Sequence, residues 1–386
     1  MPQTQHTPST GETSVSRPTR VDYIDNLRWS AILLVVAVHA GVTYSGLGSW
    51  YHVEKRPLGQ LSFLFLAIFQ SHAQAFFMGL LFFLAGCFLP PSYDRKGAKH
   101  FLLGRCKRLG LPALLYMAVV HPVTGYYLLH WWQGGFWRGY FGYLTNGSFF
   151  RGSGPMWFAI ALLIFSAAYC VIKPLLPHRT LTAPAAPTWR SVVSTGLVIT
   201  VLAFLIRTVQ PIGTNVLNMQ LCNFAQYIVL FALGVMACRH EWVTKLPARM
   251  GHVCLWTALI SSPIVWLTLF GSLHGDIASI NGGWHWQSGA YALWESMFCV
   301  TFCTGLLVFY REHVAQRNAL TKLLTDNSFG VYFFHPPVLI AITLAMTGLS
   351  WTPLAKFAVA SLLAIVATYA SVHLILRRIP LLRQIL

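Results

Sequence analysis

The sequence predicts an all-α fold, a polytopic integral membrane protein of about ten transmembrane helices with both termini cytoplasmic. Three observations lead there. Hydrophobic residues fill 55% of the 386 positions and charged residues only 10%, and mean hydropathy is +0.57, more apolar surface than one or two soluble cores could hide. Apolar runs of about 20 residues, long enough to cross a bilayer as helices, recur along the chain. Lysine and arginine gather in alternate intervening segments, the pattern of the positive-inside rule.

Residues 1–20 are polar and rich in Ser, Thr and Pro, with no basic stretch leading straight into an apolar core. They read as a disordered cytoplasmic tail and not as a signal peptide. Residues 21–386 form one transmembrane domain. Its first span, 29–47, opens behind Asp25 and Arg28, and its second, 61–88, closes on FFMGLLFFLAGCFL. Span three, 109–130, follows the basic segment GRCKRLGLP, and span four, 155–176, begins at GPMW. Apolar runs give further spans at 191–208, 221–238 and 253–272. Span eight, 290–310, carries Glu295. Span nine, 328–348, carries His335 ahead of Pro336 and Pro337, which remove backbone donors and should distort the helix. Span ten, 353–376, stops at Arg377. An even number of spans puts both ends on one side. That side collects 21 of the 27 Lys and Arg residues, including Arg17, Arg20, Arg179 and the six from Arg95 to Arg108, so it is cytoplasmic.

The same distribution explains the net charge of +17. Basic residues dispersed between apolar runs serve lipid topology, not a nucleic-acid face. Membrane lipid is therefore an expected partner and nucleic acid is not. The eight cysteines, at 87, 106, 170, 222, 238, 254, 299 and 303, fall mostly in or beside apolar runs, where a thiol packs as a small hydrophobe. Cys299 and Cys303 share a helix face but lack the second ligand pair of a zinc site. No metal is expected. The outer segments HWWQGGFWRGYFGYLTNGSFFRGSG and SLHGDIASINGGWHWQSG are rich in Gly and aromatic residues. These suit an interfacial belt, or a stacking surface for sugar rings.

Chemistry enters with DNLRWSAILLVVAVHAG, residues 25–41. Eleven steps of about 100° bring His39 round to the face of Arg28, about 16 Å further along the axis, with Asp25 about 40° away. An acid, a base and an imidazole thus share one stripe. Ionisable groups inside a membrane are costly and usually face a cavity or a partner, and histidine titrates where proton transfer is useful. The plain alternative is a neutral His39 bonded to a neighbouring helix. Arg105 and Arg108, three residues apart, can share a helix face and hold phosphates through forked donors, or simply anchor the chain at the cytoplasmic surface. Glu295 and His335 are further candidates, each with a structural reading as interfacial carboxylate or kinked packing helix. His72, in QSHAQAFF, is a weaker polar candidate.

Together, YIDNLRWSAILLVVAVHAG, FFMGLLFFLAGCFL, RCKRLGLPALL, GPMWFAIALL and NSFGVYFFHPPVLI resemble the membrane-bound acyltransferase 3 family across nearly the whole chain. Within it, YIDNLR leading to HAGVTYS, then RLGLP and RIPLL, are most similar to the glucan biosynthesis protein C branch. The resemblance implies an enzyme of the bacterial inner membrane. It would move an acyl group, acetyl or succinyl, from cytoplasmic acyl-CoA to a hydroxyl of a periplasmic or cell-surface carbohydrate, such as a periplasmic glucan. Acyl-CoA would be a co-substrate, with no tightly bound cofactor. His39 matches the family's first-helix histidine, Arg28 its partner arginine, and Arg105 and Arg108 its R-x-x-R pair. Glu295 and His335 fall in similar segments. His39 would act as general base or carry the acyl group itself, Asp25 or Arg28 would orient the donor, and Arg105 and Arg108 would hold its phosphates. Numerous helices with intramembrane polar residues also fit a transporter or flippase of an acyl group or acylated glycan.

Overall fold

Backbone polar groups meet no water inside a bilayer, so a spanning chain must satisfy them within its own helices. The computed structural model describes residues 22–175 and 186–385. The tail 1–20, with Arg17 and Arg20, and Arg179 lie outside the described residues. Among the described residues ten helices are long and apolar enough to cross a membrane: α1 (Asp22–Ser45), α2 (Gln60–Cys87), α3 (Leu89–Tyr127), α4 (Gly154–Leu175), α5 (Trp189–Arg207), α6 (Leu221–Arg239), α7 (Ala248–Ser272), α8 (Trp286–His313), α9 (Ala319–Ala345) and α10 (Pro353–Arg378).

Burial sorts them into a centre and a periphery. In α1, α2 and α8, 61% of the most apolar stretch is buried, against 22% in α5 and 28% in α7. The peripheral helices instead leave apolar residues exposed at helical spacing: Val193, Leu197 and Val201 on α5, Trp256, Ile260 and Ile264 on α7. That is a lipid-facing surface. At the centre α1 packs against α2, α8, α9 and α10. Small residues and buried amides set the spacing. Gly86 of α2 lies against the backbone of α6, where a Cβ would stand 3.1 Å from the Val235 nitrogen. Gln70 of α2 donates to the Val38 carbonyl of α1 at 2.8 Å, and Gln226 of α6 to the Ala75 carbonyl of α2 at 2.9 Å.

Two expectations change. The third helix begins at Leu89, not 109, so the basic segment from Arg95 to Arg108 is itself mostly helical, broken at Gly97 (φ 71°). Hydropathy sees only the apolar part of a helix, whereas Lys, Arg, Ala and Leu are good helix formers whatever faces them. Wide π turns at Cys106–Gly110 and Tyr116–Val120 each end two residues before a proline, Pro112 and Pro122. A proline ring crowds the preceding turn and leaves carbonyls unbonded. The hydroxyls of Tyr140 and Tyr143, from the short helix Phe136–Thr145, donate to the carbonyls of Ala118 and Met117 in the turn that Pro122 disturbs. The second change is in α9, which runs on as a helix through Pro336 and Pro337. The carbonyl that Pro336 leaves unbonded has a consequence at the site.

Candidate functional site

His39, about three turns past Arg28 on α1, is half-buried. His335, fully buried in α9, meets it: His39 Nδ1 and His335 Nε2 are 3.0 Å apart. The protons on this pair follow from the backbone. Pro336 has no N–H, so the Tyr332 carbonyl four residues before it has no helical donor. His335 Nδ1 lies 2.8 Å from that carbonyl and 3.3 Å from the carbonyl of Val331. A carbonyl only accepts, so Nδ1 carries a proton, and a neutral His335 offers a lone pair at Nε2. His39 Nδ1–H then donates to it, since two protons facing each other across 3.0 Å would repel. Neutral His39 is left with its lone pair on Nε2. That atom has no hydrogen-bond partner among the described residues and, unlike the buried unpartnered nitrogens of His52 and His72, is not sealed. The arrangement supplies an oriented base or nucleophile whose tautomer is set through two further groups.

Beyond the Ser45 end of α1, the chain turns back and lays Trp50 on the site. Its ring stacks on His39 at 3.9 Å and 16°, and faces His335 at 6.0 Å. Tyr51 follows, its hydroxyl 2.8 Å from His121 Nδ1 and 3.0 Å from the Tyr116 hydroxyl. Burial pushes the Tyr51 phenol above its usual range, so it keeps its one proton; when that proton is donated to His121 Nδ1, the Tyr116 hydroxyl donates to Tyr51. Tyr51 also stacks on Trp131 at 6.0 Å and 14°. Rings thus lead from His39 outward to a cleft of about 520 Å³ lined by Tyr126, Tyr127, His130, Trp132 and Gln133. Glu54 pins the segment: Lys356 Nζ lies 2.8 Å and Arg56 Nε 2.7 Å from its carboxylate, and Arg56 donates to the carbonyls of Thr347 and Leu349.

The other end of α1 is basic. Arg28 Nη1 donates to Asp25 Oδ1 at 3.1 Å, and its guanidinium lies over the Phe88 ring. Arg105, half-buried over Phe101, is within electrostatic reach of both Arg108 and Arg28. The structure brings His39 to His335 and Arg28 to Asp25, and leaves Arg105 within electrostatic reach of Arg28 and Arg108.

Glu295 sits elsewhere. It is buried in α8, ion-paired with the fully buried Arg207 of α5, and no hydrogen bond joins it to the histidine pair. Breaking a buried pair from one side leaves an uncompensated charge, at about 3–5 kcal/mol. Arg207→Leu is expected to destabilise by about that much, and Arg207→Leu with Glu295→Leu by clearly less; thermal melting in detergent checks the order. His72 donates within its own helix, Nδ1 to the Ile68 carbonyl at 2.8 Å, among Trp294 and Phe298.

Trp50, Tyr51, Tyr116 and His121 were not legible as site residues. One signal existed: the histidine–proline pair His335–Pro336 is echoed by His121–Pro122 in α3. A family model described as an acyltransferase domain matches residues 21–373. No curated protein and no solved structure matches the chain.

Proposed function

The chain belongs to that acyltransferase family, acyltransferase 3, and is a membrane acyltransferase; from this premise we propose that it moves an acyl group from cytoplasmic acyl-CoA to a hydroxyl of a periplasmic or cell-surface carbohydrate. The membrane is the bacterial inner membrane, with both termini cytoplasmic. Acetyl and succinyl are the candidate groups. The similarity of its motifs to the glucan biosynthesis protein C branch favours succinyl and a periplasmic glucan.

One observation carries the reading: a histidine inside a membrane helix keeps an accessible Nε2 lone pair while a second histidine holds its other nitrogen. A sugar hydroxyl attacks a thioester only as a base takes its proton, and His39 Nε2 is placed to take it. His335, donating to the Tyr332 carbonyl, acts as a positioning residue that keeps His39 in the required tautomer. Arg28, Arg105 and Arg108 offer donors to the coenzyme A phosphates, with Asp25 orienting Arg28. The long arm of coenzyme A spans the roughly 16 Å from there to His39. The aromatic cleft beyond Trp131 suits the flat apolar faces of sugar rings. Glu295 is assigned no role in the chemistry beyond holding α8 to α5.

Phosphate binding has its own test. A hydrogen bond to a charged group contributes about 1.5–3 kcal/mol, so Arg105→Ala with Arg108→Ala is expected to raise the acyl-CoA KM at least about tenfold, with kcat less affected. An unchanged dependence on donor concentration would remove the phosphate role. Free coenzyme A released by purified protein tests the reading as a whole, since a transporter of acyl groups or acylated glycans consumes no thioester.

A further inference from the structure

Just past α1 the chain reverses. Gly46 (φ 70°) and Gly48 (φ 123°) take backbone conformations that residues with a Cβ rarely adopt, and the Glu54 N–H returns to bond the Thr43 carbonyl of α1 at 2.8 Å. Trp50 lies between these points, its ring flat on His39 and facing His335. The return is tied down. The Glu54 carboxylate meets both Arg56 and the buried Lys356 of α10, and Arg56 bonds the carbonyls of Thr347 and Leu349. Trp50 is reached beyond Ser45, the outer end of α1 in the sidedness proposed above, and Tyr51 and Trp131 continue from it towards the cleft. The indole is therefore a fixed plate on the acceptor side of the proposed base. Such a plate answers a chemical need. A base that takes a proton from a sugar hydroxyl also takes one from water, so a transferase must keep water from a bound thioester.

We propose that Trp50 is a specificity-determining residue, its indole shielding His39 from water on the outer side and giving way only to a carbohydrate; this rests on the acyltransferase reading above. A sugar can stack on Tyr51, Trp131 and the cleft, and the free energy of those contacts can displace the plate. Water has no such contacts to offer. Without the plate, a water oxygen attacks the thioester carbonyl carbon as one of its protons passes to His39 Nε2. A C–O bond forms. As the carbonyl re-forms, the C–S bond breaks, and the thiolate takes up the proton from His39. The products are a carboxylic acid and free coenzyme A, with nothing transferred.

The test uses the full-length protein in sealed liposomes, with acyl-CoA on the donor face and coenzyme A release followed first without acceptor. Trp50→Ala is expected to raise this hydrolysis at least about tenfold, part of the about 10²–10⁴-fold that general-base assistance supplies. When glycan is added, a smaller share of acyl groups should reach it. Trp50→Phe keeps a ring on His39 and is expected to hold both quantities near wild type. The extra hydrolysis should vanish in Trp50→Ala with His39→Ala. A second measurement needs no activity. In the His39→Cys protein, position 39 is expected to react slowly with a membrane-impermeant methanethiosulfonate added to the outer face, and faster once Trp50→Ala is added, as mass spectrometry of the labelled peptide reads. Equal labelling with and without Trp50→Ala would overturn the shield, as would unchanged hydrolysis in a Trp50→Ala protein that still transfers acyl groups; both leave the acyltransferase reading standing. Wild-type protein that consumes no acyl-CoA with acceptor present would instead remove that reading.

Discussion

His39→Ala is expected to abolish acyl transfer while the protein still accumulates in the membrane. General-base assistance alone accounts for about 10²–10⁴-fold, and the loss is larger if the imidazole also carries the acyl group. The separation of the two effects follows from the packing. α1 is held by buried Leu27, Val35, Val36 and Ala40 and by the Gln70 amide on the Val38 carbonyl, none of which needs the imidazole. What the substitution removes is a lone pair and a stacking partner for Trp50. Mass spectrometry of acceptor glycans, beside quantification of the membrane fraction, checks both halves. Wild-type product from the variant would end the role of His39.

His335→Ala carries the second largest expected loss. Without an acceptor for Nδ1–H, His39 can move its proton to Nε2 and present a donor to the hydroxyl it should deprotonate. In a serine protease triad, disturbing the tautomer through the orienting residue lowers kcat about 10⁴-fold; a loss of about 10²–10⁴-fold is expected here, with the acyl-CoA KM little changed. His335→Gln keeps an acceptor in its side-chain carbonyl and is expected to recover part of the rate. Pro336→Ala tests the origin of the arrangement. It restores a backbone N–H that competes for the Tyr332 carbonyl, so the His335 ring loses its anchor. A smaller loss of kcat and an altered pH–rate profile are expected, whereas a merely structural proline would leave the profile unmoved. Steady-state kinetics of the three variants reads these outcomes.

Helical periodicity made much of this visible in the residues. Asp25, Arg28 and His39 lie on one helix, so a rotation of about 100° per residue sufficed to align them, and the Asp25–Arg28 bond follows from their spacing. Contacts between helices were not legible in that way. His39 and His335 are 296 positions apart, and Glu295 finds Arg207 across 88; no local pattern encodes which helices will be neighbours. Trp50 and Tyr51 escaped notice because they lie in a short polar segment between spans, where aromatic residues usually mark the membrane interface. The basic stretch ahead of span three concealed a helix because hydropathy registers apolar faces, not backbone conformation. The prolines of α9 were legible as a disturbance of backbone bonding, but not as the means of fixing a proton on His335.

Sidedness offers the most direct measurement. In sealed liposomes carrying purified protein, acyl-CoA with a labelled acyl group is supplied on one face and the glycan acceptor on the other. The account predicts labelled ester on the acceptor and a free coenzyme A thiol on the donor side for each ester formed, both absent with His39→Ala. Intact thioester beside wild-type protein, or equal labelling by the His39→Ala protein, would contradict it.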